Sequence, residues 1–279
     1  MSPTYVHIVS RGAHGEIGNN IYERLREAHR EVWFGSDGSG LMKSTLIRSS
    51  FFTEEQRKRW ESVRHRAARE DLTTSVDLFA AGCLYGHGPL LSRLPTDPAA
   101  LAAKLESGRR LTLHRIGELM GEAVVPDALG RALYQVAREL PGAEVLATAT
   151  DELGRNGHGI TRDERGERVE LIFAPDSPEL LGNRSVLIDP DANYAPVGAV
   201  VGWTSYESRE VVDSLPTGTP PIPEPPCRPP GSGRGTLIEP RFLLSTGYFT
   251  DLAPQLENWL TNGVITKAQY NAFKEQAES

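Results

Sequence analysis

Between Pro216 and Gly235 the chain reads Pro-Thr-Gly-Thr-Pro-Pro-Ile-Pro-Glu-Pro-Pro-Cys-Arg-Pro-Pro-Gly-Ser-Gly-Arg-Gly. Every proline there lacks a backbone donor and has its φ locked, so neither a helix interior nor a central strand can run through the tract. Its first half favours an extended backbone, and the glycines that follow loosen it. Any core must therefore be assembled from residues 1–215, followed by a linker over 216–235 and a short tail over 236–279. A body of that length can bury a real core. The tail cannot bury much by itself.

Within the body the ends carry the period of strands and the middle the period of helices. From Thr4 to Arg11, Tyr5, His7 and Val9 alternate with Val6 and Ile8, which predicts a strand. Glu31-Val32-Trp33-Phe34, the turn Ser36-Asp37-Gly38-Ser39-Gly40 and the run from Leu41 to Ser49 predict a hairpin. The charged stretch between these strands, Gly15 to Arg30, reads as helix. Thr53 to Glu70 is also helical, with charges gathered around Trp60. A further helix opens at Thr96-Asp97-Pro98, where a capping side chain precedes a first-turn proline, and runs through Glu106. Leu111 to Gly121 and Pro126 to Leu140 follow. In the last of these, Leu129, Ala132, Leu133, Val136, Ala137 and Leu140 form one buried stripe at i, i+3, i+4 spacing.

Beyond Pro141-Gly142 the period becomes two. Strands are expected over Glu144–Thr150, His158–Asp163, Arg168–Phe173, Leu180–Ile188 and Ala199–Val212, separated by Gly, Asp-Pro and Asp-Glu-Arg-Gly breaks that suit an antiparallel meander. Such a sheet needs one face covered, and the central helices are the available cover. The fold class is α+β, a curved antiparallel sheet with helices packed on one face.

Composition narrows the function classes. With 30 Lys and Arg against 37 Asp and Glu, the net charge of −7 lacks the basic footprint of a nucleic-acid binder. No apolar run is long enough to span a bilayer, and the N-terminal residues do not form a signal peptide. The expected location is therefore the cytoplasm. No CxxC or HExxH spacing occurs among the two cysteines and seven histidines, so neither a metal nor a cofactor is expected. Cys83 and Cys227 read as unconnected thiols.

Several stretches taken in order resemble one family. They are Arg30-Glu31-Val32-Trp33, the run from Gly88 through Leu94-Pro95-Thr96-Asp97-Pro98 to Leu101, Val125-Pro126-Asp127-Ala128-Leu129-Gly130-Arg131-Ala132-Leu133-Tyr134, Leu140-Pro141-Gly142-Ala143-Glu144-Val145, Leu180-Leu181-Gly182-Asn183-Arg184 and Val211-Val212-Asp213. Together they resemble a family of uncharacterised actinobacterial proteins, commonly encoded near sigma factors and often membrane-anchored. The resemblance covers roughly residues 4–215, and Leu94–Pro98 is its most specific part. It implies a half-barrel like that of the lipoprotein carrier LolA and the lipid-binding mycobacterial lipoproteins, where a curved sheet wraps around helices and can enclose an apolar cavity. Family members usually carry a cytoplasmic segment and a transmembrane helix ahead of the first strand, and neither stands here. If the chain is a truncated anchored protein, the implied location becomes extracytoplasmic. The family has no established catalytic site to carry over. In the tail, Leu256 to Leu260, Gly263 to Thr266, Gln269-Tyr270 and Phe273 resemble short two-helix modules at bacterial C-termini, which implies docking or self-association.

Candidate chemistry is sparse. Cys83 and His87 lie four apart in a glycine-rich loop, a spacing compatible with a nucleophile and its base but equally with loop packing. GxxxxGK[ST] and GxSxG are both absent. Glu118 and Glu122 stand one helical turn apart near His114. With Tyr134, these are the candidates for acid–base work in a pocket, against the plainer reading of a solvated helix face. Trp33, Phe173, Trp203 and Tyr206 are the candidate lining of an apolar site, against the plainer reading of core. The expected function is a non-catalytic binding or sensing domain that holds a hydrophobic small molecule or docks a protein partner such as a sigma factor. The alternative is a cytoplasmic enzyme of secondary metabolism acting on an apolar intermediate.

Overall fold

The computed structural model describes residues 4–18, 21–64, 74–80, 91, 93–106, 111–192 and 194–222, with no account of the side chains of 16–23, 63 and 64. The strands are β1 (Tyr5–Gly18), β2 (Ile21–Gly35), β3 (Gly40–Ser50), β4 (Thr74–Phe79), β5 (Glu144–Thr150), β6 (Asn156–Glu164), β7 (Glu167–Phe173), β8 (Leu180–Leu187) and β9 (Val200–Val212). The described helices are α1 (Glu54–Arg64), α2 (Pro98–Glu106), α3 (Leu113–Gly121) and α4 (Asp127–Glu139). The nine strands form one open, curved sheet in the order β4-β3-β2-β1-β9-β8-β7-β6-β5, antiparallel at every junction. The α+β half-barrel is thus the observed architecture.

The sheet joins two meanders through one long-range pairing, β1 with β9, which sets Ile8 opposite Arg209 and Ser10 opposite Tyr206. On the covered face, Ile8, Val32, Ile160, Leu171 and Phe173 meet Leu101, Leu113, Ile116 and Leu133 from α2, α3 and α4 in one cluster with almost no solvent contact. On the opposite face, Tyr5, Trp33 and Leu41 form a smaller cluster beneath Leu215 and Ile222. The start of the proline-rich tract thus packs against the body.

Local signals explain most elements. Asp97 Oδ1 accepts the Ala100 N–H at 2.9 Å and opens α2. Thr112 Oγ1 accepts the Arg115 N–H at 3.1 Å, and Glu164 Oε1, from the end of β6, accepts the Leu113 N–H at 2.6 Å. Both satisfy donors that the first turn of α3 leaves unpaired. The β2–β3 turn closes with Gly38 at φ 76°, a left-handed conformation that favours glycine.

The stretch from Gly15 to Arg30 is not helical. Its described residues form the end of β1 and most of β2, with cross-strand partners in place of a helix surface. Glu27 is buried on β2, accepts from Arg11 Nε of β1 at 2.6 Å, and pairs with Arg48 of β3. A buried carboxylate is tolerated only when paired in this way. β4 is a strand that the sequence reading did not anticipate. The helix expected over Thr53–Glu70 is present as α1 through Arg64, and the remainder lies outside the described residues. So do Cys83, His87, Cys227 and the tail.

Candidate functional site

A cluster of polar side chains lies between α3 and the middle of the sheet. His114 and Glu118 on α3 and Glu122 at its C-cap recur every fourth residue and so lie along one side of the helix. From the sheet side come Arg30 of β2 and Tyr206 and Arg209 of β9. His14, on β1, stands on the same face as Ile8 by the two-residue period of its strand.

The groups are paired with one another. His114 Nε2 lies 3.2 Å from Glu118 Oε1, and Arg30 Nη1 lies 3.5 Å from Glu122 Oε1. Arg30 Nε also points to Met42 Sδ at 3.4 Å. Tyr206 Oη lies 3.4 Å from Asn183 Nδ2, which donates to it. The Arg209 guanidinium covers the tyrosine ring at 4.6 Å and donates to the Leu180 carbonyl. Gly121 makes this fit possible, because any Cβ there would fall on the Tyr206 hydroxyl.

Burial, reinforced by the Glu122 and Glu118 carboxylates and opposed by Arg209 and Arg30, pushes the Tyr206 phenol up to about 12. It therefore remains a hydrogen-bonding neutral group. Burial works against a charge on His114, yet the bond to Glu118 and the fields of Glu118, Glu164 and Glu167 outweigh it and raise its pKa. His14 is pushed down by burial, then by Arg30 and His114. The residue nevertheless keeps contact with solvent. The cluster thus holds a histidine–glutamate pair, an arginine–glutamate pair and a neutral phenol within one network.

A second concavity lies between α4 and the edge strand β5. This open groove of about 730 Å³ is lined by Arg131, Tyr134, Arg138, Val145, His158 and Asp176, among others. Tyr134 meets His158 and Phe173 edge-on, with ring centroids 5.3 Å and 4.9 Å apart, and Arg138 lies 5.6 Å from its ring. Burial and then the Arg138 charge lower the pKa of His158.

These positions divide the residues singled out by sequence. His114, Glu118, Glu122 and Tyr206 come together in this polar cluster. Tyr134 is in the α4 groove, away from the three proposed acid–base partners. Phe173 has no solvent exposure and fills the dry core. Trp33 stacks on His7 at 4.2 Å in the cluster on the opposite face of the sheet. Trp203 is three residues before Tyr206 in an unbulged part of β9 and so also faces away from the helices. The four aromatic side chains therefore do not line one cavity.

Sequence reading missed His14, Arg30, Asn183 and Arg209. The usable signal for the first two was the two-residue period that places Ile8 inward, continued through a stretch whose charge suggested helix. Among the described residues, no group of three His, Cys, Asp or Glu side chains converges as a metal site would require. No described helix is long and apolar enough to cross a membrane.

No family model and no curated protein matches the chain. Among solved structures, the complex of MucA and MucB from Pseudomonas aeruginosa shows a likeness over 77% of this chain and 54% of that one, at 9% identity and a TM-score of 0.27. The chain thus spans about half the length of the chain it matches. A likeness at this level carries no argument about function.

Proposed function

We propose that this half-barrel is a non-catalytic binding domain whose ligand is a protein partner. The observation that carries the reading is the filled interior. Leu101, Leu113, Ile116, Leu133, Ile160, Leu171 and Phe173 each show 0% exposure at the interface between helices and sheet, where a carrier of this shape would need a void. The concave surfaces available to a ligand lie outside, chiefly the open groove beside α4. These are the surroundings of a macromolecular contact rather than of an enclosed small molecule.

The enzyme reading has less support. Its acid–base candidates His114, Glu118 and Glu122 are tied into ion pairs, and Tyr134 stands in another groove. A general base needs reach to its proton and a free acceptor.

The deciding experiment is in-cell cross-linking followed by native mass spectrometry and solvent extraction of protein from its own host. A second polypeptide at fixed stoichiometry, with no apolar molecule released, is the expected result. A stoichiometric lipid or hydrophobic metabolite in place of a polypeptide would overturn the docking reading.

A further inference from the structure

The two ends of the sheet are built differently. At one end, β4 presents Asp77 opposite Met42, whose side chain packs against the helix-covered core. Asp77 is half-buried, and loss of hydration raises its pKa. An inward-pointing charge of this kind is a standard guard against strand addition at a sheet edge.

At the other end, β5 carries no such guard. After Glu144 it reads Val145-Leu146-Ala147-Thr148-Ala149-Thr150, with no charge and no proline. All of its residues except Leu146 and Ala149 are exposed, and Val145 is 48% exposed. It pairs with β6 on one side only among the described residues. A bulge between Leu146 and Ala149 bends its second half and leaves Glu144–Leu146 in regular register, the local device by which edges re-aim side chains near sites.

The groove beside this edge adds a chemical preference. Val145 is opposite Ile160, a core residue on the helix-covered face, so a strand laid along β5 would direct alternate side chains toward α4. There it meets Arg131 and Arg138, two turns apart on the same helical face. Both are exposed, and among the described residues neither forms an ion pair. The groove's own carboxylates are Glu139, which accepts from Gln135 Nε2 at 3.0 Å, and Asp176.

We propose that β5 and the α4 groove form the docking site for an extended acidic segment of the partner protein, which adds to the sheet as a further strand. Its main chain pairs with the free edge of β5. An aliphatic side chain rests on Val145 and Tyr134, and a carboxylate bridges Arg131 and Arg138. Main-chain bonding supplies affinity in this mode, and the alternate side chains supply selectivity. The inference rests on the docking reading above and gives it a place and a partner chemistry.

The probe is a displayed library of random dodecapeptides panned on the full chain. Enriched peptides are then read by affinity and by amide hydrogen exchange. We expect alternating aliphatic and acidic sequences, and outward-facing amides of β5, those not bonded to β6, that exchange about tenfold more slowly with peptide bound. Arg131→Glu/Arg138→Glu and, separately, Val145→Lys should each weaken binding at least about tenfold, a loss of about 1.4 kcal/mol. All three positions are exposed, so the fold should survive, with thermal unfolding as the check. Lysine-for-acid versions of the peptides should recover binding to the Arg131→Glu/Arg138→Glu protein.

Three results would overturn the proposal. One is the absence of any enriched peptide, and another is peptides indifferent to all these substitutions. The third is a full chain in which the outward-facing β5 amides, those not bonded to β6, already exchange slowly without peptide, which would mean that a segment of the chain itself occupies the edge. Peptides that bind elsewhere would remove this site while leaving the docking function standing. A stoichiometric apolar adduct in the host experiment would remove the function itself.

Discussion

A methyl group added at Gly121 would land on the hydroxyl of Tyr206. Alanine is the better helix former by about 1 kcal/mol, so propensity alone predicts that Gly121→Ala stabilises α3. Overpacking decides the sign, because Tyr206 is enclosed and cannot swing away. The expected outcome is a net destabilisation of about 1–3 kcal/mol, measured by urea unfolding. At His114 the balance is electrostatic. Its folded pKa is raised above the unfolded value by Glu118, with help from Glu164 and Glu167 and against burial. A raised histidine pKa contributes stability that is complete below the unfolded value and disappears as pH rises through the folded one. His114→Gln should therefore cost stability at about pH 5.5 and almost nothing at about pH 8.5, the span over which a histidine of this kind loses its charge. Because the imidazole is 45% exposed, solvent screening keeps the acid-side loss to about 0.5 kcal/mol or less. Unfolding curves at the two pH values would show it, and equal losses at both would remove the charged pair from the account.

At the scale of elements, α4 shows a local signal and its three-dimensional outcome agreeing. Its stripe from Leu129 to Leu140 is buried as the spacing predicts. Leu133 has 0% exposure at the centre of the stripe. Leu133→Ala should cost about 2–5 kcal/mol, from lost transfer energy and the cavity left behind, read as a shift of the unfolding midpoint. The stretch from Gly15 to Arg30 shows the opposite case. Helix and strand periods were both compatible with its scattered charges, and charge density favoured the wrong one. Arg11, Glu27 and Arg48 are distant in sequence, so nothing local announced that they would form one cross-strand ladder. β4 escaped notice for a related reason. Thr74–Phe79 is short and flanked by mixed sequence, and its pairing with β3 supplies what its own pattern lacks.

At the scale of the molecule, the body does not end where the prolines begin. Leu215 and Ile222 lie over the Tyr5, Trp33 and Leu41 cluster on the outer face of the sheet. A chain stopped after Ile222 should keep the unfolding midpoint of the full chain. One stopped after Asp213 should unfold earlier and shift its tryptophan emission to the red as the cluster around Trp33 meets water. Capping an apolar patch on the free face of a sheet is worth roughly 25 cal/mol per Å² removed from water. The comparison also tests whether the remainder of the chain is a separate unit, as the composition of the linker and tail suggests.

The sequence by itself determined the α+β class, the β2–β3 hairpin, the five-strand meander, the capped helices and the buried stripe of α4. Each of these is written in a repeat of two or 3.6 residues, or in the chemistry of a turn, and such signals act over a few neighbours. The tertiary structure alone decided that β9 pairs with β1 and merges two meanders into one sheet. That single pairing brings Arg30 and Tyr206 over α3, sends Trp33 and Trp203 to the far face, and leaves β5 at an edge beside Arg131 and Arg138. Pairing partners far apart in sequence are chosen by how the whole core packs, and no local pattern encodes that choice.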